Sequence, residues 1–246
     1  MYLAAVLSNG HVATGRHHGE AFSKLSSTEQ EAGLVSGHVN PDGTFTTEME
    51  FIDKEVILVR HAESEWNAHL SDSLDSTLTF KGVSQAQRLA SFIRKNIDCR
   101  GMVGFTSPLD RCLLTSLPIR RQTGVRFFVR HELSELSNHF PAEGVEVPCR
   151  KDEYLDIEWG NYHTTTFCKE PPEAFLGRLR AFLESIPNHS IIVTHGSCVQ
   201  TMIEMALGVK MSQVPAWDNS IGNASITHIK AGTVSLLAKR VESLAA

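Results

Sequence analysis

Val56-Ile57-Leu58-Val59-Arg60-His61-Ala62-Glu63-Ser64-Glu65-Trp66-Asn67 is the stretch on which the reading of this 246-residue chain turns. Its first four residues are apolar and mostly β-branched, with no in-and-out alternation, as a strand buried on both faces requires. Arg60 and His61 follow at the carboxyl end of that strand, and Ser64-Glu65-Trp66-Asn67 reads as a helix start. In open α/β sheets, ligands collect at such strand ends. The layout returns at Ile191-Ile192-Val193-Thr194-His195-Gly196, where a second buried-type strand delivers a histidine to the helix Cys198–Leu207, closed by Gly208.

The segments between and around these two strands fit the same architecture. Residues 82–96 carry apolar side chains at 83, 86, 89, 90 and 93, a helical stripe. Met102–Phe105 and Val125–Val129 read as strands. Between them, Ser107-Pro108-Leu109-Asp110 predicts a helix with Ser107 as N-cap and Pro108 at the first position, running to about Arg121 and kinked or shortened at Pro118. Arg111 falls in its first turn. Glu173–Ser185 is helical, and Ser225–Ile229 with Thr233–Ala238 forms a closing hairpin turned at Ala231-Gly232. Alternating strands and helices predict a three-layer α/β/α sandwich with a mainly parallel central sheet.

Residues 1–53 differ in kind. Short apolar runs at 2–7, 11–14, 34–39 and 44–51 are broken by Asn9-Gly10 and Asn40-Pro41-Asp42-Gly43, which predicts an N-terminal extension of two β-hairpins. Two hairpins make little core of their own. They are expected to pack on the rest of the chain or on a second copy, giving a homo-oligomer. The division of the chain is therefore 1–53 as an extension of unassigned role and 54–246 as the catalytic domain. Within that domain, 131–170 is acidic and irregular and reads as a surface insertion.

The formal charge of −5 divides at the same boundary. Residues 1–53 hold seven acids against Arg16 and Lys24, so the remaining residues hold 21 charges of each sign. A balanced domain argues against a nucleic-acid partner. No apolar run approaches a membrane span, and Met1–Leu7 lacks the basic start of a signal peptide. Five cysteines without a C-x-x-C pair suggest neither a disulfide framework nor a zinc knuckle. These features predict a cytoplasmic protein with no membrane association. None of the twelve histidines has metal-ligand spacing to another, so no metal and no cofactor are expected.

Arg-His occurs three times, at 16–17, 60–61 and 130–131, and only Arg60-His61 sits at the end of a buried-type strand. If the strands ending at 60, 106 and 194 are neighbours, Arg60, His61, Arg111 and His195 converge. Two guanidinium forks and two imidazoles suit a phosphate group, because arginine presents planar paired donors to phosphate oxygens.

These residues carry a resemblance. Arg60-His61-Ala62-Glu63-Ser64-Glu65-Trp66-Asn67 is similar to the first histidine motif of the histidine phosphatase superfamily, in its phosphoglycerate-mutase-like branch (branch 1). Leu78-Thr79-Phe80-Lys81-Gly82-Val83-Ser84-Gln85-Ala86 resembles that branch's L-T-x-x-G-x-x-Q-A segment. Ser107-Pro108-Leu109-Asp110-Arg111 resembles the start of its arginine helix, Thr194-His195-Gly196 its second histidine motif and Asn223-Ala224-Ser225-Ile226-Thr227 its closing strand.

The resemblance implies a phosphomonoester hydrolase working through a phosphohistidine on His61. Arg60, Arg111 and His195 would bind phosphate oxygens, with Asn67 as a secondary contact that could instead bond loop backbone. Glu135 in Leu133-Ser134-Glu135 takes the general-acid position, with Glu132 as the competitor. The substrate would be a phosphorylated small molecule or a phosphoprotein. Two departures stand out: Ala62 replaces a glycine, and residues 136–140 do not resemble the mutases' continuation. The alternatives are a phosphoglycerate-type mutase and a non-catalytic phospho-ligand or protein-binding member.

Overall fold

The computed structural model describes residues 54–136, 144–160, 164–207, 221–230 and 233–240, with the short strands 3–6, 12–15, 38–39 and 45–46. Those four strands, β1 (Leu3–Val6), β2 (Val12–Gly15), β3 (His38–Val39) and β4 (Phe45–Thr46), form an antiparallel sheet in the order β2-β1-β3-β4. The expected hairpins pair as β1 with β2 and β3 with β4, and a bridge between Leu3 and His38 joins them. Their turn residues lie outside the described residues.

From Val56 onward the order is β5 (Val56–Arg60), α1 (Phe80–Asn96), β6 (Val103–Thr106), α2 (Asp110–Thr123), β7 (Arg126–Val129) and a 3-10 turn (His131–Leu133). There follow β8 (Val145–Pro148), β9 (Thr164–Phe167), α3 (Pro172–Ser185), β10 (Ser190–Thr194), α4 (Gly196–Leu207), β11 (Ser225–Lys230) and β12 (Thr233–Arg240). The central sheet runs β12-β11-β5-β10-β6-β7. Its four strands β5, β10, β6 and β7 are parallel, and β11 and β12 close one edge antiparallel.

The lack of alternation in Val56–Val59 now has its cause. Ile57 and Val59 point into a core with Leu89, Ile93 and Leu113 of α1 and α2. Val56 and Leu58 point into the opposite core with Phe175, Leu179, Val199 and Met202 of α3 and α4. Helices thus cover both faces, and fully apolar strands are what two buried faces require. Because β10 lies between β5 and β6, the strand ends bearing Arg60-His61, His195 and Ser107 are adjacent.

Several local expectations are corrected. Residues 64–70 form a turn and not a helix start: Leu70 N–H bonds Glu65 carbonyl, His69 takes a positive φ of 57°, and Ser64 bridges Leu78. The helix begins at Phe80 instead, capped by Thr79, whose hydroxyl accepts the Gly82 N–H at 3.0 Å. Val83 is exposed, and the buried stripe passes through Gln85, Ala86, Leu89, Ala90 and Ile93. Pro118 does not shorten α2, which continues to Thr123 and ends on Gly124 in the left-handed region.

Ser107 is not the N-cap of α2. That place falls to Leu109, and the first N–H of the helix, on Asp110, donates to Asp75 Oδ1 at 2.7 Å from a loop 35 residues upstream. Parts of the 131–170 segment reach the core. Tyr154, Ile157 and Trp159 are buried in the α1–α2 core, Glu158 extends the sheet beside Phe127 and Val129, and β8 pairs with β9. Gly208 and the 231–232 turn lie outside the described residues.

Candidate active site

His61 sits one residue beyond β5, and its backbone fixes it to two neighbouring elements. Its N–H donates to Thr194 carbonyl of β10 at 2.9 Å. Its carbonyl accepts from Ala224 N–H at 3.1 Å and from Asn223 Nδ2 at 3.2 Å. The ring is buried, and Nδ1 meets the Ala62 carbonyl oxygen at 2.8 Å. A carbonyl only accepts, so this bond places the proton on Nδ1 and the lone pair on Nε2. Burial, then the charges of Arg111 and Arg60, hold the imidazole well below the usual histidine range and keep it neutral.

His195 lies between the end of β10 and the start of α4 and is fully buried, with its ring centroid 5.2 Å from that of His61. Its Nε2 lies 2.8 Å from Ser107 Oγ and 3.6 Å from Cys112 Sγ. Burial, then the charges of Arg111, Arg60 and Arg178, push its pKa down as well. The hydroxyl that the Ser-Pro pattern assigned to capping is therefore engaged by this imidazole, and also accepts the Leu109 N–H at 3.4 Å.

Arg60 donates one Nη to the Ile221 carbonyl, while its buried Nε has no partner among the described residues. Arg111 is buried and donates Nη1 to Leu74 carbonyl at 2.7 Å. Each guanidinium depends on one carbonyl for its orientation and has further N–H groups besides.

The two candidate acids separate clearly. Glu132 accepts from Arg130 Nη2 at 2.6 Å and Nε at 3.2 Å; burial acts against ionisation, yet these bonds hold its carboxyl below the ordinary range. Glu135 is pushed the other way: burial raises its pKa, outweighing the Leu136 N–H, the Ser197 hydroxyl and the charges of Arg111 and Arg60. Those two guanidinium groups are the same pair that act on His61. Arg178 fixes the backbone leading to Glu135 by donating to the carbonyls of Glu132 at 2.5 Å and Ser134 at 2.8 Å.

Asn67 is placed as a loop tie. Its Oδ1 accepts from Ser64 N–H at 3.2 Å, Ser64 Oγ at 3.0 Å and Asn223 Nδ2 at 2.9 Å, and Asn223 in turn reaches the His61 carbonyl. Ala62 has an ordinary negative φ, so the alanine in place of glycine costs no backbone strain, and its methyl is buried in the α1–α2 core.

The structure thus brings Arg60, His61, Arg111, His195 and Glu135 to one end of the sheet. Sequence reasoning missed the supporting roles of Ser107, of Arg178 and of Thr115, whose hydroxyl accepts the Ala62 N–H at 3.0 Å, and gave Asn223 no role although its motif was visible. Each acts across a long chain separation, and no local pattern signals such a pairing. Among the described residues no group of three or more His, Cys, Asp or Glu side chains could hold a metal ion.

The match to known proteins covers the central sheet and its helices, and leaves out the strands β1–β4. Residues 56–241 match the model of the histidine phosphatase superfamily (branch 1), and the chain belongs to that family. It is similar to the protein named "Putative phosphoserine phosphatase 2" of Hydrogenobacter thermophilus, at 30% identity over 72% of this chain and 89% of the relative. It is also similar to "Phosphoserine phosphatase 1" of the same organism, at 29% identity over 71% of this chain and 85% of the relative. Among solved structures, one described as "a putative alpha-ribazole-5'-P phosphatase" from Escherichia coli shares the fold with a TM-score of 0.51 and 18% identity, covering 75% of this chain and 95% of that one.

Proposed function

We propose that this protein hydrolyses phosphomonoesters by way of a phosphohistidine on His61. The observation that carries the reading is a neutral imidazole of fixed tautomer beside two arginines: the Nδ1–Ala62 bond leaves Nε2 as the nucleophilic atom. In the first step Nε2 attacks phosphorus and the ester P–O bond breaks. Arg60, through its unpartnered Nε, and Arg111 and His195 hold the phosphoryl oxygens. Positive groups fixed in a buried site stabilise charge spread over those oxygens without reorganising.

Glu135 supplies the proton to the departing alkoxide. Its raised pKa keeps the carboxyl protonated at pH values where an ordinary glutamate is ionised. In the second step the resulting carboxylate takes a proton from water, whose oxygen attacks the phosphohistidine; the P–N bond breaks and inorganic phosphate leaves. Splitting one displacement into two is the advantage of a covalent intermediate. Asn67 orders the loop after His61 and contributes to phosphate binding at second hand.

Because the cationic side chains neutralise the phosphoryl group, the reaction is proposed to be independent of metal. The names of the curated relatives favour a small phosphomonoester such as phosphoserine as substrate. The test is hydrolysis of p-nitrophenyl phosphate and phosphoserine by wild type and His61→Ala, with and without EDTA. Wild type is expected to be active in both conditions and His61→Ala inactive. Full activity in His61→Ala overturns the reading, and interconversion of 3- and 2-phosphoglycerate without net hydrolysis would favour a mutase.

A further inference from the structure

The orientation of Arg111 depends on a loop far from it in the chain. Its Nη1 donates to the Leu74 carbonyl at 2.7 Å, and the next residue, Asp75, accepts the Asp110 N–H on Oδ1 at 2.7 Å. The lacing is reciprocal: α2 sends a side chain to the loop backbone, and the loop sends a side chain to the backbone of α2. Leu74 also packs with Leu109, Val147 and Phe167.

Two carboxylates, Asp75 and Asp110, therefore meet beside Arg111, each with a side chain about one-tenth exposed (11% and 8%). Arg150 lies between them, donating to Asp75 Oδ2 at 2.9 Å and pairing with Asp110 Oδ1 at 2.8 Å. Tyr154, four residues on, donates its hydroxyl to the same Asp110 oxygen. Without Arg150, two poorly solvated like charges would repel each other, and the remaining cation close by would be Arg111. The carboxylates would then compete with phosphate for it.

We propose that Arg150 is a positioning residue for phosphate binding, acting through Asp75 and Asp110 to hold Arg111 on Leu74 and aimed at the phosphoryl group. This gives the 144–160 segment a part in the chemistry. The inference rests on the assignment of Arg111 above.

The test is a double-mutant cycle read as the Kd of orthovanadate, a phosphate mimic, measured by calorimetry alongside melting temperature. Arg150→Met is expected to weaken vanadate about tenfold in wild-type background and to have no further effect in Arg111→Met, since residues acting as one unit are not additive. Adding Asp75→Asn to Arg150→Met, which removes one of the repelling charges, is expected to restore most of the affinity. Arg150→Lys, the variant to read if Arg150→Met does not fold, keeps the charge but cannot span both carboxylates, and should fall between. Equal losses from Arg150→Met with and without Arg111 overturn the inference, as does an unchanged Kd in both Arg150 variants while Arg111→Met is weakened. An unchanged Kd in Arg111→Met overturns the phosphate-site assignment itself.

Discussion

His61 Nδ1 lies 2.8 Å from the carbonyl oxygen of Ala62, the next residue in the chain. The peptide that provides this acceptor is held in turn. Ala62 N–H donates to Thr115 Oγ1 at 3.0 Å, and the Thr115 hydroxyl donates to the Arg111 carbonyl at 2.7 Å. Thr115→Val keeps the shape and removes both bonds, leaving a buried N–H without an acceptor. Urea unfolding should show a loss of about 1–3 kcal/mol, with kcat reduced more than KM, because the group displaced positions the nucleophile.

The two pKa shifts should move the limbs of the kcat/KM pH profile apart and open a window in which both groups are in their working forms. His61 must be neutral to attack; its pKa is depressed from 6.5, so attack is lost only as pH falls through that lower value. Glu135 must be protonated to assist departure; its pKa is raised from 4.5, so assistance is lost as pH rises through that higher value. Glu135→Gln should remove the basic limb and slow alkyl phosphates by about 10²–10⁴-fold. p-Nitrophenyl phosphate, whose leaving group needs little protonation, should be slowed far less. Equal losses on both substrates would contradict the role of Glu135.

The sheet and its helices were legible because their signals are local. Val56–Val59 and Ile191–Val193 are apolar on both faces, and their chain neighbours place Arg60, His61 and His195 at the strand ends whatever the rest of the fold does. What failed was long-range. Ser107 has the local pattern of a cap, but its hydroxyl is engaged by His195, 88 residues away, while Asp75 takes the capping task from another loop. The motif register favours Glu135 over Glu132, but nothing near in sequence shows that Arg130 engages Glu132 while Glu135 is buried. Arg150 looked like one cation in an acidic stretch, and nothing nearby in sequence reveals that its two carboxylate partners lie at 75 and 110.

Gly82 opens another route into the site. A Cβ at this position would collide with the carbonyl oxygen of Glu63, two residues beyond His61, so the N-terminal turn of α1 can lie against that loop only without a side chain. The obstacle is backbone and cannot swing aside. Gly82→Ala should lower stability by about 1–3 kcal/mol, lowering the melting temperature, and should reduce activity as the loop after His61 shifts.

Ser107→Ala separates phosphate binding from folding differently. It removes the 2.8 Å partner of His195 Nε2 where both side chains are buried. Orthovanadate affinity should fall by about 1–3 kcal/mol, since the imidazole is freed to rotate. Ser107→Thr, which keeps the hydroxyl, should recover part of it; no loss in Ser107→Ala would show that His195 is held by other contacts.

The central claim is that phosphate is carried on His61, and the direct measurement is to trap it. Wild-type protein is mixed with p-nitrophenyl phosphate, quenched in alkali within milliseconds, digested and examined by mass spectrometry. The account predicts an acid-labile, alkali-stable phosphate on the peptide containing His61, formed and lost at rates consistent with turnover and missing in His61→Ala. Steady hydrolysis with no phosphohistidine at His61, or with phosphate on a different residue, would contradict it.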